Sequence, residues 1–294
     1  MNDLDRVYIV PRYSEIERRD IDLSITLFDW KLFVPVISSP MDTVSNNEML
    51  QALKKEGCIG IQHRYCDLSE LGAIWGGVAV SPSMKLKYME KLRDAVLSNI
   101  AVLDVAHGHT KRNLEFCANL KNMGWDVIGG SIATKEAAEA YLKIGVDHIR
   151  VGIGSGSVCT TRLVTGVGRP QYIAIKEIRE EFRDDIHIIA DGGHRTTGDI
   201  AKSFALGADY VMLGRMLACT KEARNDGIYS GMASSAALRR NGKTEFFVEG
   251  KSEIIEVNRT VHEVIAEIRS ALETTCYYAG VRNLKELAGN YEIE

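Results

Sequence analysis

The sequence predicts a (β/α)8 TIM barrel formed as a single domain over residues 1–294, and three observations favour this fold class. Eight short apolar segments rich in valine and isoleucine recur along the chain, as expected for strands buried on both faces of a parallel sheet. Helical patterns lie between most of these segments. Small and polar residues gather directly after the segments, where a barrel carries its chemistry. A doubly wound open sheet with the same alternation is the alternative.

The predicted strands are short, and they are often closed or directly followed by Gly, Ser, Asp or His. They lie at 34–39, 58–62, 76–80, 100–105, 125–130, 146–152, 186–190 and 209–213. The helices between them are predicted at 46–56, 84–98, 111–122, 134–144, 170–183 and 196–206. The helix predicted at 134–144 also shows signals for both of its ends. Thr134 and Glu136 match an N-cap followed by an acidic first turn, and Gly145 matches the glycine that commonly ends a helix.

The alternation of strands and helices ends near residue 215. A polar, irregular stretch follows at about 219–253, and we expect it to form a flap over the active face, because barrel enzymes often carry insertions there. A last long helix is predicted at about 258–274, where Val261 and Ile265 recur at helical spacing. No linker composition separates these parts, so we predict a single domain.

The composition is that of an ordinary globular protein, with 45% hydrophobic and 26% charged residues and a formal net charge of −4. It excludes a collagen-like chain and low-complexity disorder, and it argues against a nucleic-acid surface spread over the whole domain. No apolar stretch is long enough to span a membrane, and the charged N-terminus lacks the core of a signal peptide. The six cysteines include no CxxC pair, which predicts reduced thiols and a cytoplasmic location.

The most informative segment is the glycine-rich loop at 152–162, which reads GIGSGSVCTTR and follows the sixth predicted strand. Its alternate glycines allow the backbone to aim carbonyls and amides at a cation or a phosphate. Cys159 lies within this loop, and a thiolate there is a candidate nucleophile. Cys58, Cys117 and Cys276 lie in apolar or helical patterns and are predicted to be packing residues.

The last two predicted strands also end in glycine-rich sequences. Asp191-Gly192-Gly193 follows the seventh strand and Gly214-Arg215 follows the eighth, at the positions where barrels frequently bind phosphate. Glycine amides and an arginine suit a phosphomonoester, and a carboxylate such as Asp191 can accept both hydroxyls of a ribose.

Two histidines and two methionines near the strand ends are weaker candidates for a functional role. His107 and His109 lack a third nearby ligand and are interpreted as a polar wall rather than a metal site. Met41 and Met232 are interpreted by default as packing residues. A phosphate-binding isomerase barrel would explain the late glycines, but it gives no reason for a cysteine in the loop after the sixth strand.

Four motifs occur in order along the chain: SSPMDTV at 38–44, GSGSVCTT at 154–161, DGG at 191–193 and YSGM at 229–232. Together they resemble the IMP dehydrogenase / GMP reductase family over nearly the whole chain. GMP reductases in particular are similar at three further places, which are TGVGRPQ at 165–171, EGK at 249–251 and TTCYYAG at 274–280.

This resemblance implies a tetrameric barrel that acts on a purine nucleoside monophosphate. In the family, the loop cysteine attacks purine C2. A GMP reductase then expels ammonia, and the covalent thioimidate takes a hydride from NADPH to give IMP. An IMP dehydrogenase instead passes the hydride to NAD, and water releases xanthosine monophosphate.

Residue roles follow from the resemblance, motif by motif. It implies that Cys159 is the nucleophile, Thr161 the proton-transfer residue and Glu249 the carboxylate that works with Thr161. Such a carboxylate is needed because ammonia must leave protonated and a hydroxyl alone is a poor acid. The implied nucleotide contacts are Ser157, Asp191, Gly192, Gly193, Gly214, Arg215, Tyr229, Gly231, Met232 and Gly250. The implied cofactor contacts are Asp104, Val105, Ala106, Ile153 and Gly154, and the implied ligands of a monovalent cation, expected to be potassium, are Gly154, Gly156, Cys159 and Arg162.

Two absences favour the reductase within this family. The stretch between Ala233 and Glu249 is too short for the long dehydrogenase flap and holds no Arg-Tyr pair, and the regulatory insertion of most dehydrogenases is missing. SSPMDTV and the Tyr-x-Gly-Met spacing are more dehydrogenase-like. The apolar residues Phe246, Phe247 and Val248 stand where reductases carry Arg and Ser. The pair Phe246-Phe247 is a candidate for shaping a different pocket, for a deoxynucleotide or another purine. An IMP dehydrogenase and an inactive nucleotide-binding barrel are the alternatives.

Overall fold

Eight parallel strands form the central sheet of the protein, in a computed structural model that describes residues 3–66, 75–242 and 248–294. The sheet order is β1-β8-β7-β6-β5-β4-β3-β2, so each strand pairs with its neighbours along the chain. The strands are Val36–Ser38 (β1), Ile61–Gln62 (β2), Gly77–Val80 (β3), Ile100–Leu103 (β4), Asp126–Ile132 (β5), His148–Val151 (β6), His187–Asp191 (β7) and Tyr210–Leu213 (β8).

Backbone hydrogen bonds between the first and second strands close the sheet into a barrel. Ile59, just before β2, forms a parallel bridge with Ile37. Its amide donates to the Val36 carbonyl at 3.2 Å, and its carbonyl accepts from the Ser38 amide at 3.1 Å. The predicted (β/α)8 barrel is therefore confirmed, and the open-sheet alternative is excluded.

Helices surround the barrel and join its strands. They are Asn47–Lys55 (α1), Leu86–Ala95 (α2), Lys111–Asn122 (α3), Lys135–Leu142 (α4), Thr161–Thr165 (α5), Gln171–Phe182 (α6), Thr197–Ala205 (α7), Arg215–Ala218 (α8), Ser235–Arg240 (α9), Val261–Ala279 (α10) and Leu284–Leu287 (α11). The predicted boundaries of α4 are confirmed, because the Thr134 side chain accepts a hydrogen bond from Ala137 N and Gly145 has φ +76°.

Two apolar layers hold the barrel together. Inside it, Ile37, Ile128 and Ile189 are fully buried in one cluster of inward-facing side chains. Outside it, the alternate residues of the same strands pack against the helices. This alternation means that a polar residue on an inward-facing position of a strand points towards the axis of the barrel.

A short N-terminal hairpin closes the amino end of the barrel. Its strands, Ile25–Leu27 and Trp30–Leu32, pair antiparallel, and Leu27 and Leu32 join the interior cluster. The Tyr210 hydroxyl donates a 2.6 Å hydrogen bond to the Thr26 carbonyl. The sequence analysis did not predict this hairpin, which leaves the carboxyl end of the barrel as the open end.

The predicted flap at 219–253 is more regular than expected. Strand Ile228–Ser230 pairs antiparallel with Ser252–Ile254, and helix α9 lies between them in the chain. The C-terminal helix extends beyond its predicted end at 274 and stops at Gly280, which has φ +68°. In the parts of the chain that are described, no helix is both long and apolar enough to cross a membrane.

Candidate active site

A cavity of about 350 Å³ opens at the carboxyl ends of the barrel strands, beneath the flap. Every predicted site residue except Arg162 and Gly250 lies in its wall. The wall is formed by Ser39, Met41, Arg64, Asp104, Val105, Ala106, Arg150, Ile153, Gly154, Gly156, Ser157, Cys159, Thr161, Asp191, Gly192, Gly193, Gly214, Arg215, Tyr229, Gly231, Met232 and Glu249, among others. The strand-end motifs, which are far apart in sequence, therefore meet around one cavity.

Cys159, Thr161 and Glu249 form a line of hydrogen-bonding groups in this cavity. The Cys159 Sγ and Thr161 Oγ1 atoms are 3.1 Å apart, and Thr161 Oγ1 donates to Glu249 Oε2 at 2.8 Å. A threonine hydroxyl has a single proton, so when it donates to Glu249 it accepts from the Cys159 thiol. The geometry thus provides a path that moves the thiol proton through a hydroxyl to a carboxylate.

Backbone hydrogen bonds attach the flap to the loop that carries Cys159. The Thr160 amide donates to the Glu249 carbonyl at 2.9 Å, and the Lys251 amide donates to the Val158 carbonyl at 2.9 Å. Gly250 lies between these bonds and forms a bridge with Cys159. This arrangement explains how a carboxylate 90 positions along the chain from the cysteine reaches the same cavity, and it places Gly250 behind the cavity wall.

Close backbone approaches require glycine in the loop after β6. A Cβ at Gly152, where φ is +153°, would lie 2.0 Å from the Asp191 carbonyl oxygen. A Cβ at Gly192, where φ is +88°, would lie 2.5 Å from Ser155 Oγ. These contacts pack the loop against the end of β7, which brings Cys159 and Asp191 to one cavity.

Asp191 is held by an arginine that the sequence analysis did not single out. Arg150 donates from Nε at 3.1 Å and from Nη2 at 2.6 Å to Asp191 Oδ2. The two side chains are only 7% and 17% exposed. Burial by itself lowers the pKa of the Arg150 guanidinium, but the carboxylates of Asp191 and Asp104 outweigh it, and the pKa is raised. Asp191 is therefore presented to the cavity as an ion-paired carboxylate.

The part of the wall predicted to bind phosphate brings together the loops after β7 and β8 and the flap. Arg215 forms an ion pair with Glu253 of the flap. The Tyr229 phenol is buried, which raises its pKa well above the ordinary value and keeps it protonated. Its oxygen lies 3.6 Å from the sulfur of Met41, so Met41 packs in the core and also lines the cavity.

The predicted cofactor residues Asp104, Val105 and Ala106 line the cavity at the end of β4. Asp104 Oδ2 is buried and makes no hydrogen bond to any described residue, although Arg64 Nε lies 3.4 Å away. A buried carboxylate oxygen without a donor fits a ligand that supplies one, such as a ribose hydroxyl of a dinucleotide.

The loop predicted to hold a monovalent cation offers backbone carbonyls and few side-chain ligands. Within the described ranges, no group of three or more His, Cys, Asp or Glu side chains is placed to hold a metal ion. The Arg162 guanidinium donates to the Ile153 carbonyl at 3.3 Å and to Asp3 Oδ2 at 2.7 Å. Arg162 therefore organises the loop with its side chain, and a cation would have to be bound by carbonyl oxygens.

The remaining candidates behave as packing or wall residues. Cys58, Cys117 and Cys276 are buried in the core, and burial raises the pKa of the Cys117 and Cys276 thiols to about 12. The His107 and His109 rings lie 6.5 Å apart at the strand end after β4. The predicted pocket residues Phe246 and Phe247 lie outside the described residues.

Comparisons with known proteins agree with this architecture. The family model described as "IMP dehydrogenase / GMP reductase domain" matches residues 3–294. The chain is 34% identical to a GMP reductase of Phytophthora infestans, over 97% of this chain and 88% of that protein. It is 40% identical to an inosine-5'-monophosphate dehydrogenase of Aquifex aeolicus over 74% of this chain and 49% of that protein. A third relative, an inosine-5'-monophosphate dehydrogenase of Borreliella burgdorferi, is 29% identical over 97% of this chain and 91% of that protein.

The fold and its polar cavity define a (β/α)8 barrel of the kind that carries enzyme active sites at the carboxyl ends of its strands. The chain belongs to the IMP dehydrogenase / GMP reductase family, a family of oxidoreductases with purine nucleotide substrates. Relatives of both names match at similar identity, so the choice between the two reactions depends on the chemistry of the cavity.

Proposed function

We propose that this protein is a GMP reductase, which uses NADPH to convert GMP to IMP and ammonia. The observation that carries the proposal is the line from Cys159 through Thr161 to Glu249, with its 3.1 Å and 2.8 Å contacts. It supplies both a nucleophile and a carboxylic acid, and reductive deamination needs both.

The proposed reaction begins with transfer of the Cys159 thiol proton through Thr161 to Glu249. The thiolate attacks purine C2, and a carbon–sulfur bond forms as the carbon–nitrogen bond to the amino group breaks. Glu249 returns the proton through Thr161 to the departing amine, which leaves as ammonia. The proton taken from the thiol ends on the departing amino group, so atoms and charge balance in this step. Neither water nor an oxidant is required.

The second half of the reaction reduces C2 and releases the cysteine. When bound, NADPH supplies the hydride; Asp104, Val105, Ala106, Ile153 and Gly154 are the residues that would hold it. The carbon–sulfur bond breaks as C2 is reduced, and Cys159 leaves as a thiolate. Glu249 takes up a proton from solvent and passes it through Thr161 to the thiolate. Asp104 Oδ2 would accept a hydroxyl donor from the cofactor.

The rest of the cavity suits a purine nucleoside monophosphate. Asp191, in its ion pair with Arg150, is placed to contact the ribose, and the glycines after β7 and β8 offer amides to the phosphate beside Arg215. A potassium ion held by loop carbonyls and a homotetramer are further parts of the proposal that follow from the resemblance alone.

Glu249 and the short flap favour the reductase over the dehydrogenase. A dehydrogenase must activate water on the covalent intermediate, and the sequence between 219 and 253 contains no Arg-Tyr pair for that purpose. A reductase must protonate an amine, and the hydrogen bond from Thr161 to Glu249 supports that role for the carboxylate. IMP dehydrogenation with NAD remains the second candidate because relatives of that name match at similar identity.

The direct test is to incubate the protein with GMP and NADPH and to follow the absorbance of the reduced nicotinamide. We expect this absorbance to fall while IMP and ammonia appear in equal amounts. Oxidation of IMP to xanthosine monophosphate with NAD, without any turnover of GMP, would contradict the proposal and support the second candidate. Cys159→Ala is the control and should abolish either activity.

A further inference from the structure

We propose that Asp3 is a positioning residue, which acts through Arg162 to hold the loop of Cys159 in its reactive place. This inference rests on the proposed function. Asp3 begins a short 3₁₀ helix, Asp3–Arg6, and Arg162 lies in α5 directly after Thr161. The two side chains form an ion pair, in which Arg162 Nη1 donates to Asp3 Oδ2 at 2.7 Å. Neither residue belongs to the cavity wall, so an effect on the reaction has to be transmitted through the loop.

The Arg162 guanidinium joins the two ends of the chain segment that carries Cys159. Its Nε donates to the Ile153 carbonyl at 3.3 Å, before the cysteine, and its Nη2 donates to the Arg169 carbonyl, after the cysteine. Its Nη1 is the nitrogen that pairs with Asp3. Because the guanidinium is a rigid planar fork, these bonds fix the distance between the two ends of the segment.

The backbone of the segment is shaped to admit the Arg162 side chain. A Cβ at Gly154 or at Gly168 would lie 2.5 Å from Arg162 Cγ, so only glycine leaves room on either side of it. The side chain is thus enclosed between two stretches of the segment. Displacement of its guanidinium would therefore shift the loop that it joins.

Asp3 also connects this guanidinium to the barrel. Its Oδ2 accepts a second hydrogen bond, from the amide of Gln171 at 2.9 Å, at the first residue of α6. The Gln171 side chain donates in turn to the Val151 carbonyl at 2.7 Å, at the end of β6. One carboxylate oxygen therefore gives the Arg162 fork a fixed anchor outside the loop.

Stabilisation of the fold explains this ion pair less well than positioning of the loop. The side chains of Arg162 and Asp3 are 29% and 19% exposed, and an ion pair that water still reaches adds little to stability. Arg162 is the next residue after Thr161, the hydroxyl of which contacts both the thiol and the carboxylate of the proposed proton path. A shift of the loop would lengthen those contacts, and a displacement of about 1 Å can slow a reaction 100-fold.

The test compares wild-type protein, Asp3→Asn and Asp3→Glu in kcat for GMP with NADPH, in GMP affinity by calorimetry without cofactor, and in melting temperature. Asp3→Asn keeps an oxygen that can accept from the Gln171 amide, but it removes the charge that holds Arg162. We expect kcat to fall about 10- to 100-fold, while GMP affinity changes less than about threefold because most of the proposed nucleotide contacts lie outside this segment. The melting temperature should change little. Asp3→Glu keeps the charge and should recover part of the lost kcat.

A double-mutant cycle shows whether Asp3 acts through Arg162. In an Arg162→Gln background, Asp3→Asn should lower kcat little further. Asp5→Asn is the matched control and should keep the wild-type kcat, because Asp5 carries the same charge in the same short helix and is exposed.

An unchanged kcat in Asp3→Asn, or an equal loss of kcat in both Arg162 backgrounds, would overturn the inference. A loss of kcat matched by an equal loss of GMP affinity and by a lower melting temperature would also overturn it, because the pair would then serve the fold as a whole. Wild-type protein that does not turn over GMP with NADPH would instead contradict the proposed function itself.

Discussion

At the scale of single residues, the proposed proton path depends on Thr161, which lies between the Cys159 thiol and Glu249. Its hydroxyl contacts the thiol on one side and donates to Glu249 on the other. A hydroxyl has only one proton, so it can pass on a proton from the thiol only when it donates its own proton to a second acceptor. Glu249 is that acceptor, and the chemistry of the proposed reaction depends on it as much as on the cysteine.

Glu249→Gln should slow ammonia release by about 100-fold or more, because the amide cannot take the thiol proton or return it to the amine. Hydride transfer should slow much less, since it needs no acid at the amino group. Rapid-quench measurement of ammonia from GMP follows the first step, and stopped-flow measurement of nicotinamide reduction from IMP and oxidised cofactor, which runs the hydride step in reverse without ammonia, follows the second. Equal slowing of both would count against the assigned role.

His194 makes the stability of the protein depend on pH. Burial lowers the pKa of its imidazole to about 4, whereas an exposed histidine has a pKa of about 6.5. The folded state therefore keeps His194 neutral while the unfolded chain binds a proton, so the stability present above about pH 6.5 is lost as the pH falls towards 4. The expected contribution to this loss between pH 7 and pH 5 is about 2 kcal/mol.

Urea unfolding of wild-type protein and His194→Asn at several pH values tests this expectation. The variant should show a smaller loss of unfolding free energy between pH 7 and pH 5. His262, which is exposed, provides the control variant His262→Asn. The same pH slope in wild-type protein and His194→Asn would show that His194 is not the group responsible.

Residues with distinctive loop motifs could be predicted from the sequence, whereas Arg150 was missed. Cys159 stands out because it lies within a glycine-rich loop, whereas Arg150 lies within the apolar segment at 146–152, whose pattern predicts only the body of a strand. A signal was present, since a lone arginine in a strand buried on both faces requires a buried partner. The identity of that partner, Asp191, depends on strand register, which the local sequence does not reveal.

At the scale of elements, the flap acts as a clamp that carries Glu249 to the cysteine loop. Its attachment uses backbone groups of Val158, Thr160, Glu249 and Lys251, which any sequence can supply. The two strands of the flap were therefore invisible in the sequence, which there is polar and irregular. The barrel strands were predictable because each is a continuous apolar segment, whereas the N-terminal hairpin is too short to show a clear period.

Gly250→Ala should lower kcat by about 10- to 100-fold, because a Cβ there would lie 3.0 Å from the Ser234 amide nitrogen and push the segment away from Cys159. The melting temperature should change little. Gly198→Ala is the matched control, since a Cβ at Gly198 meets only Thr196 Oγ1, at 3.6 Å. Steady-state kinetics check both variants, and an unchanged kcat in Gly250→Ala would contradict the clamp.

At the scale of the whole molecule, the barrel separates stability from chemistry. The hairpin at 25–32 fills the amino end, while the cavity occupies the carboxyl end. The core between them consists mainly of apolar side chains. Substitutions at the amino end should therefore affect unfolding without affecting the reaction.

Tyr210→Phe provides a direct check of this separation. The variant loses the 2.6 Å hydrogen bond to the Thr26 carbonyl, an acceptor that water can then reach because Thr26 is exposed. The free energy of unfolding should fall by about 0.5–1.5 kcal/mol, measured in urea, with kcat and KM unchanged. A large loss of activity in a folded variant would mean that the two ends are coupled.

The central claim is that Cys159 forms a covalent bond with purine C2 as ammonia leaves. Its most direct test is mass spectrometry of the protein after acid quenching of a mixture with GMP and oxidised cofactor, in which no hydride can be supplied. We predict an adduct on the peptide that carries Cys159, equal in mass to GMP less ammonia, and none in Cys159→Ala. Absence of both adduct and ammonia, in protein that turns over GMP with NADPH, would contradict the account.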